Sequence, residues 1–186
     1  MKLMIASDLH GSAWYTKKLL EAYEQEKPGK LLLLGDLLYH GPRNDLPREY
    51  SPKEVIAMLN PLADKLLCVR GNCDAEVDQM VLDFPILADY CLLFEQEQTI
   101  YVTHGHLFGE NNPPRLRPGD ILLTGHTHIP ACVYHGFWYL NPGSVSIPKA
   151  DSWHGYMVLE NGHFLWKDLD GGIHMEWDLR EAAENL

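Results

Sequence analysis

Seven side chains in this 186-residue chain have the types and spacing to hold metal ions. Asp8 and His10 stand two residues apart, Asp36 follows Gly35, and Asn72 follows Gly71. His104 precedes Gly105, and His126 and His128 again stand two apart. Two carboxylates, four imidazoles and one amide make a mixed oxygen and nitrogen donor set with no thiolate. Such a set suits Mn²⁺, Fe²⁺, Ni²⁺ or Zn²⁺ and disfavours a structural Cys-rich zinc site. Seven donors are too many for one tetrahedral ion but fit two ions if one carboxylate bridges them. Two metals roughly 3.5–4 Å apart can activate a water and stabilise the attacking and leaving oxygens of a displacement at phosphorus. Two divalent ions against Asp8 and Asp36 leave the site electropositive, so a phosphate can enter it.

The surrounding pattern says what must position these groups. Residues 2–7 are an apolar run broken by Asp8, which reads as a buried strand entering a loop. Ser12 can cap a helix with Tyr15, Leu19, Ala22 and Tyr23 on one face, ended by Pro28-Gly29. Lys30–Leu34 and Lys65–Val69 read as two further buried strands. Between them, Ser51-Pro52-Lys53-Glu54 starts a helix as a capping box with Pro at the first helical position. Val55, Ile56, Leu59 and Leu62 form the apolar face of that helix. Strand, helix, strand, helix, strand implies a parallel sheet covered by helices.

The second half changes character. Leu92–Glu95, Thr99–Thr103 and Asp120–Thr124 read as strands. Gly136 and the pair Asn161-Gly162 mark hairpins, and Gly171-Gly172 marks a turn before Ile173–Leu179. Residues 180–186 are polar and read as a loose end. The expected architecture is one α/β domain over residues 1–186. It is a two-sheet sandwich, a βαβαβ half plus an antiparallel half, flanked by helices. Five buried strands each end in a ligand type, and the carboxyl ends of α/β strands are where ligands bind, so the seven residues should converge on one edge.

Composition narrows the function. A formal net charge of −11 argues against tight, non-specific binding to nucleic acid, which needs a basic surface. None of the four cysteines, Cys68, Cys73, Cys91 and Cys132, lies in a C-x-x-C pair, which favours a reducing compartment. The apolar start is broken at Asp8 before signal-peptide length, and no run is long enough to cross a bilayer, so the expected location is the cytoplasm without a membrane partner.

Taken in order, Asp8-Leu9-His10, Gly35-Asp36, Gly71-Asn72-Cys73-Asp74, His104-Gly105-His106 and Gly125-His126-Thr127-His128 resemble the five motifs of the calcineurin-like metallophosphoesterase superfamily. Asn141-Pro142-Gly143-Ser144 resembles a segment that follows the last motif in its small bacterial and archaeal members. The runs 40–44, 76–79 and 103–109 are similar to a phosphodiesterase branch of that family. Five ordered motifs are specific where one would be weak. The resemblance implies one metal on Asp8, His10 and His128, and another on Asn72, His104 and His126, with Asp36 bridging. Asp36 and Asn72 then carry catalytic roles. It also implies Mn²⁺ as activating ion, with Zn, Fe or Ni admitted, and a self-associating protein acting on a small phosphodiester.

Two positions depart from the family pattern. Nuclease and phosphatase relatives often place His after the Gly-Asn pair, where this chain has Cys73, and phosphatases often place Arg where this chain has His40. His40 is a candidate substitute acid or phosphate contact. Arg43 and Asn44 are candidate substrate contacts, since guanidinium can grip phosphate with two N–H groups. A solvated loop over residues 40–50 is the plainer alternative. His106, His135, His154, His163 and His174 read as ordinary polar residues, and Ser144 as a turn or hydrogen-bonding residue. Competing functions are a phosphomonoesterase or nuclease, and a non-catalytic metal-binding scaffold. The filled set of seven ligand positions argues against the scaffold.

Overall fold

The structure, a computed structural model, describes residues 1–180. Strands β1 (Leu3–Ala6), β2 (Lys30–Leu33) and β3 (Leu66–Cys68) pair in parallel, Leu3 opposite Lys30 and Leu31 opposite Leu66. The return paths are helix α1 (Ala13–Glu26) and helix α2 (Pro52–Leu59), the latter continued by a 3₁₀ turn over Asn60–Lys65. Ser12 caps α1 as expected, its Oγ accepting from the Tyr15 N–H at 3.3 Å. The expected capping box at α2 does not form. Ser51 makes no side-chain cap bond, although Pro52 does open the helix. Its backbone N–H is bonded instead to the Gly11 carbonyl at 2.8 Å, so a tertiary contact sets the entry to this helix.

The leucine run of β2 is explained by burial on both faces. Leu31 and Leu33 join Met4 and Ala6 in the core under the helices, with Leu19, Val55 and Leu59. Leu32 and Leu34 join Leu3 and Ile5 in the core between the sheets, with Ile121, Phe164, Trp166 and Trp177. Period-two alternation sends successive apolar residues to opposite sides, and both sides are dry.

The second half supplies strands to both sheets. Three strands, β9 (Gly155–Glu160), β10 (His163–Asp168) and β11 (Ile173–Asp178), extend the first sheet in the order β11-β10-β9-β1-β2-β3. The β9–β10 turn is Asn161-Gly162 with φ of 52° and 81°, as a two-residue type I′ hairpin requires. The second sheet runs β4-β5-β6-β8-β7. It comprises β4 (Tyr90–Glu95), β5 (Gln98–Thr103), β6 (Ile121–Leu123), β7 (Pro130–Tyr134) and β8 (Trp138–Pro142). The two-sheet α/β sandwich is therefore present, but the second sheet has a parallel centre, β5-β6-β8, inside two antiparallel edges. Hairpin signals in a sequence report only local antiparallel pairs. The crossovers that align β5, β6 and β8 are long-range and leave no such signal.

No helix among the described residues is long and apolar enough to cross a membrane. Of the expected loose end, Arg180 pairs with Asp178 at 2.6 Å, and 181–186 lie outside the described residues.

Candidate metal centre

The loops leaving β1, β2, β3, β5 and β6 meet at one edge and bring all seven expected residues together. Asp8, His10 and His128 place donor atoms within 4.8 Å of one another, as do Asp8, Asp36 and His104. His10 Nε2 lies 3.5 Å from Asp8 Oδ1 and 3.7 Å from Asp36 Oδ2. His128 Nε2 is 3.2 Å from Asp8 Oδ1, and His104 Nε2 is 3.5 Å from Asp36 Oδ2. Asn72 Oδ1 is 3.0 Å from His104 Nε2, and the His126 ring centroid is 5.0 Å from that of His104.

The backbone at this edge is strained. Asp8, His10, Asp36, His126 and His128 all have left-handed φ, between 47° and 66°. Each such residue costs about 1–2 kcal/mol relative to an ordinary conformation, so surrounding bonds must hold it. Asp8 N–H donates to Gly35 O at 3.1 Å, His10 N–H to Asp36 O at 2.9 Å, and His126 N–H to Asp8 Oδ2 at 3.1 Å. Ser144 Oγ and Ser146 Oγ both donate to the Asp8 carbonyl, at 3.0 and 2.9 Å. Two motif glycines are fixed by crowding. A Cβ on Gly71 would lie 2.1 Å from Asp36 Oδ1, and one on Gly125 would lie 1.9 Å from Ser7 Oγ.

Three imidazoles are locked in one tautomer. His10, His104 and His128 each direct Nδ1 at a backbone carbonyl, Tyr39 O at 2.8 Å, Leu34 O at 2.7 Å and Ile147 O at 2.6 Å. A carbonyl only accepts, so Nδ1 carries the proton and Nε2 of the neutral ring is left as a lone pair. Those lone pairs then confront other acceptors. His10 Nε2 faces His128 Nε2 at 3.3 Å, His104 Nε2 faces Asn72 Oδ1, and Asp8 Oδ1 is buried without a hydrogen bond. Facing acceptors repel unless a proton or a metal cation lies between them. The donor set therefore fits divalent metal ions, bound by Nε2, carboxylate and amide oxygen.

The electrostatics point the same way. Burial opposes a charge on His104, yet its bond to Asp36 and the fields of Asp8 and Asp36 raise it to about 9, and His10 is raised by Asp8 against the same burial. Burial likewise opposes ionisation of Asp8 and Asp36, but the histidines hold Asp8 well below the usual carboxylate range and lower Asp36. The pocket thus demands positive charge. His126 and His106 are lowered, by burial first and then by His104, and so favour the neutral form.

A cleft of about 310 Å³ opens over this centre. Arg43, Asn44, Asn72, His126 and His128 line it. His40 does not: its ring stands edge-on between Tyr39 and Tyr50, with centroids 4.8 and 5.2 Å away, so the loop turns it off the cleft wall. His106 is 5.4 Å from His104 by ring centroid and has a buried Nδ1 with no hydrogen-bond partner.

Sequence reasoning passed over several supporting groups. Asp74 is 2% exposed and accepts three backbone N–H groups, from Asp36 and Gly71 at 2.8 Å and Leu37 at 2.9 Å. It ties the second and third motif loops together. Asn141 Nδ2 donates to Gly125 O at 2.7 Å and orients the fifth. Cys73 Sγ lies with His10 and Asp36 within 4.8 Å, a sulfur outside the expected donor set. Burial, then Asp36, pushes the Cys73 thiol up, so it is a poor nucleophile. The acidic residue two places after Asn72 was a visible signal for Asp74. Lys149, which also lines the cleft, had none.

The family model described as the calcineurin-like phosphoesterase superfamily domain matches residues 1–162. Phosphodiesterase YfcE of Escherichia coli K12 is 49% identical over 162 residues, which is 87% of this chain and 88% of that protein. The solved structure of YfcE, a phosphoesterase from E. coli, superposes with a TM-score of 0.92 at 46% identity, covering 96% of this chain and 100% of that one. Vacuolar protein sorting 29 from Cryptosporidium parvum shares the fold alone, with a TM-score of 0.61 at 19% identity over 95% of this chain and 97% of that one. On the strength of motifs, fold and family model together, the chain belongs to the calcineurin-like phosphoesterase superfamily.

Proposed function

We propose that this protein is a metal-dependent phosphodiesterase that hydrolyses a small phosphodiester, with two divalent ions as cofactors. Asp8, His10 and His128 would hold one ion and Asn72, His104 and His126 the other, with Asp36 available to both. The observation that carries the reading is the set of tautomer-locked Nε2 lone pairs that face other acceptors across a buried edge. The likeness to phosphodiesterase YfcE supports the diester as substrate. When bound, two such ions lower the pKa of a water and offset charge developing on the phosphoryl oxygens.

The chain's own groups do the rest. Cys73 N–H donates to Asp36 Oδ1 at 2.8 Å and fixes that carboxylate. The carbonyl partners of His10, His104 and His128 keep each Nε2 aimed inward. Arg43 and Asn44 line the cleft, and we assign them the substrate contacts. In the net reaction the water oxygen bonds to phosphorus as one ester P–O bond breaks. One water proton ends on the leaving alcohol, and the other is released as the phosphomonoester ionises.

Mn²⁺ is the ion we assign, with Zn, Fe or Ni compatible with the same donors. The free state of all four cysteines supports a reducing, cytoplasmic setting. Exposed Tyr90, Leu92 and Phe94 along the edge strand β4 support self-association into a homo-oligomer, which light scattering tests.

The decisive experiment strips the protein with chelator, restores Mn²⁺ and compares an aryl phosphodiester with its monoester. Diester turnover lost in both Asp36→Ala and His104→Ala supports the proposal. Preference for the monoester would replace the diesterase by a monoesterase. No turnover of either, with ions still bound, would favour a scaffold.

A further inference from the structure

Among the described residues, Arg43 and Lys149 are, apart from Asp36 and the histidines, the charged side chains that line the cleft, and both are cations in a chain where acids outnumber bases 26 to 15. They come from different loops, Arg43 from the segment between β2 and α2 and Lys149 from the segment between β8 and β9. Among the described residues neither forms an ion pair, although Lys2, Lys18, Lys65, Lys167, Arg70 and Arg180 all do. Lys149 is also held at its backbone. Its N–H donates to the carbonyl of His128 at 3.1 Å, and its own carbonyl accepts from Ser152 Oγ at 2.7 Å and Ser152 N at 3.2 Å. The two residues after it, Ala150 and Asp151, both adopt left-handed φ, of 55° and 54°. A strained, doubly tied turn thus anchors the backbone from which the exposed Lys149 side chain lines the wall of the metal centre.

We infer that Lys149 and Arg43 form a second anion-recognition element, and that the substrate is a phosphodiester one of whose ester arms carries a further anionic group, a carboxylate or a phosphate. The inference rests on the phosphodiesterase reading above. The scissile diester has one negative charge, and the metal ions already answer it. Two additional cations at the wall match charge elsewhere on the ligand, and a cleft of about 310 Å³ has room for an arm beside the phosphoryl group. Lys149 and Arg43 act here as specificity residues, since the bond-breaking chemistry lies with the centre below them.

The test uses the Mn²⁺-loaded full chain and 4-nitrophenyl phosphodiesters whose second arm is propyl, carboxyethyl, phosphonoethyl or trimethylammonioethyl. The readout is the ratio of kcat/KM values between arms, which is independent of any common loss. Partly exposed ion pairs contribute up to about fivefold each, so wild type should prefer the anionic arms by about five- to twentyfold. Lys149→Ala should cut that ratio about threefold to fivefold, Lys149→Glu should bring it to or below unity, and added salt should compress it. The carboxylate and phosphonate arms show which anion is read. Calorimetric Kd values for matched dialkyl phosphinates, which have no ester to hydrolyse, should show the same ranking. Equal kcat/KM across all arms in wild type would overturn the inference while leaving the diesterase standing. So would an equal loss for every arm in Lys149→Ala, which would place the lysine on the scissile phosphate. Absence of turnover for every diester would instead sink the reading on which it rests, and the phosphinate ranking would still decide whether Lys149 reads an anionic arm.

Discussion

Asp74→Asn should cripple the metal centre without touching a ligand. The Asp74 carboxylate is buried and accepts from Asp36 and Gly71 on Oδ2 and from Leu37 on Oδ1. Asparagine has the same shape but only one acceptor oxygen. Placed at the Oδ2 position, that oxygen keeps two bonds and turns an NH₂ group toward the Leu37 N–H, donor against donor. The opposite placement loses two bonds instead of one. An unmatched buried donor costs about 1–3 kcal/mol, and the two surviving bonds weaken by roughly half a kcal/mol each when the acceptor loses its charge. The sum, about 2–4 kcal/mol, corresponds to a melting temperature lower by roughly 5–15 °C for a chain of this size. Calorimetric melting in chelator isolates this effect from metal binding. The freed backbone at Asp36 and Gly71 should also raise the Mn²⁺ concentration for half-maximal activity by about 10–100-fold, the usual cost of removing a group that orients ligands. A variant that melts with the wild type and saturates at the same Mn²⁺ concentration would falsify the claim that Asp74 builds the centre.

Three further outcomes follow from the same geometry. Gly71→Ala should lose activity and about 1–3 kcal/mol of stability by denaturant titration, because its Cβ would meet Asp36 Oδ1 at 2.1 Å; wild-type behaviour would show that the loop can move aside. Chelation should lower the melting temperature by roughly 5–10 °C when the ion had been present at about a hundred times its Kd, and Mn²⁺ should restore it; a melt indifferent to chelator would argue against a bound ion. Glu26 is paired with Lys167 and Lys2 and accepts from Tyr156 Oη at 3.1 Å. Burial raises its carboxyl, but the two lysines lower it overall. A lowered folded pKa means that this stabilisation is present above the unfolded carboxylate value and is lost as pH falls through the folded one. The gap in melting temperature between wild type and Glu26→Gln should therefore hold from neutral pH to about 4.3 and close as pH falls below that through the lowered folded value, and a gap that persists in strong acid, where both carboxyl forms are protonated, would refute the ion-pair account.

The donor types were legible before any fold was known, because apolar runs stop abruptly at Asp8, Asp36, Asn72, His104 and His126. Burial on both faces makes a parallel strand nearly all apolar, so the residue that ends the run marks the strand's mouth. The Ser12 cap and the Asn161-Gly162 hairpin were equally readable, since each depends on neighbours a few residues apart. The residues 136 positions apart that support Asp8 from Ser144 were beyond such reading, as was the turning of His40 away from the cleft. The parallel centre of the second sheet, the left-handed backbone at five proposed ligands and the carboxylate bracket of Asp74 also depend on which loops meet. Local pattern reports propensity and burial along one segment. Lone pairs brought face to face, and a lysine brought to the cleft beside them, exist only after distant segments pack against each other.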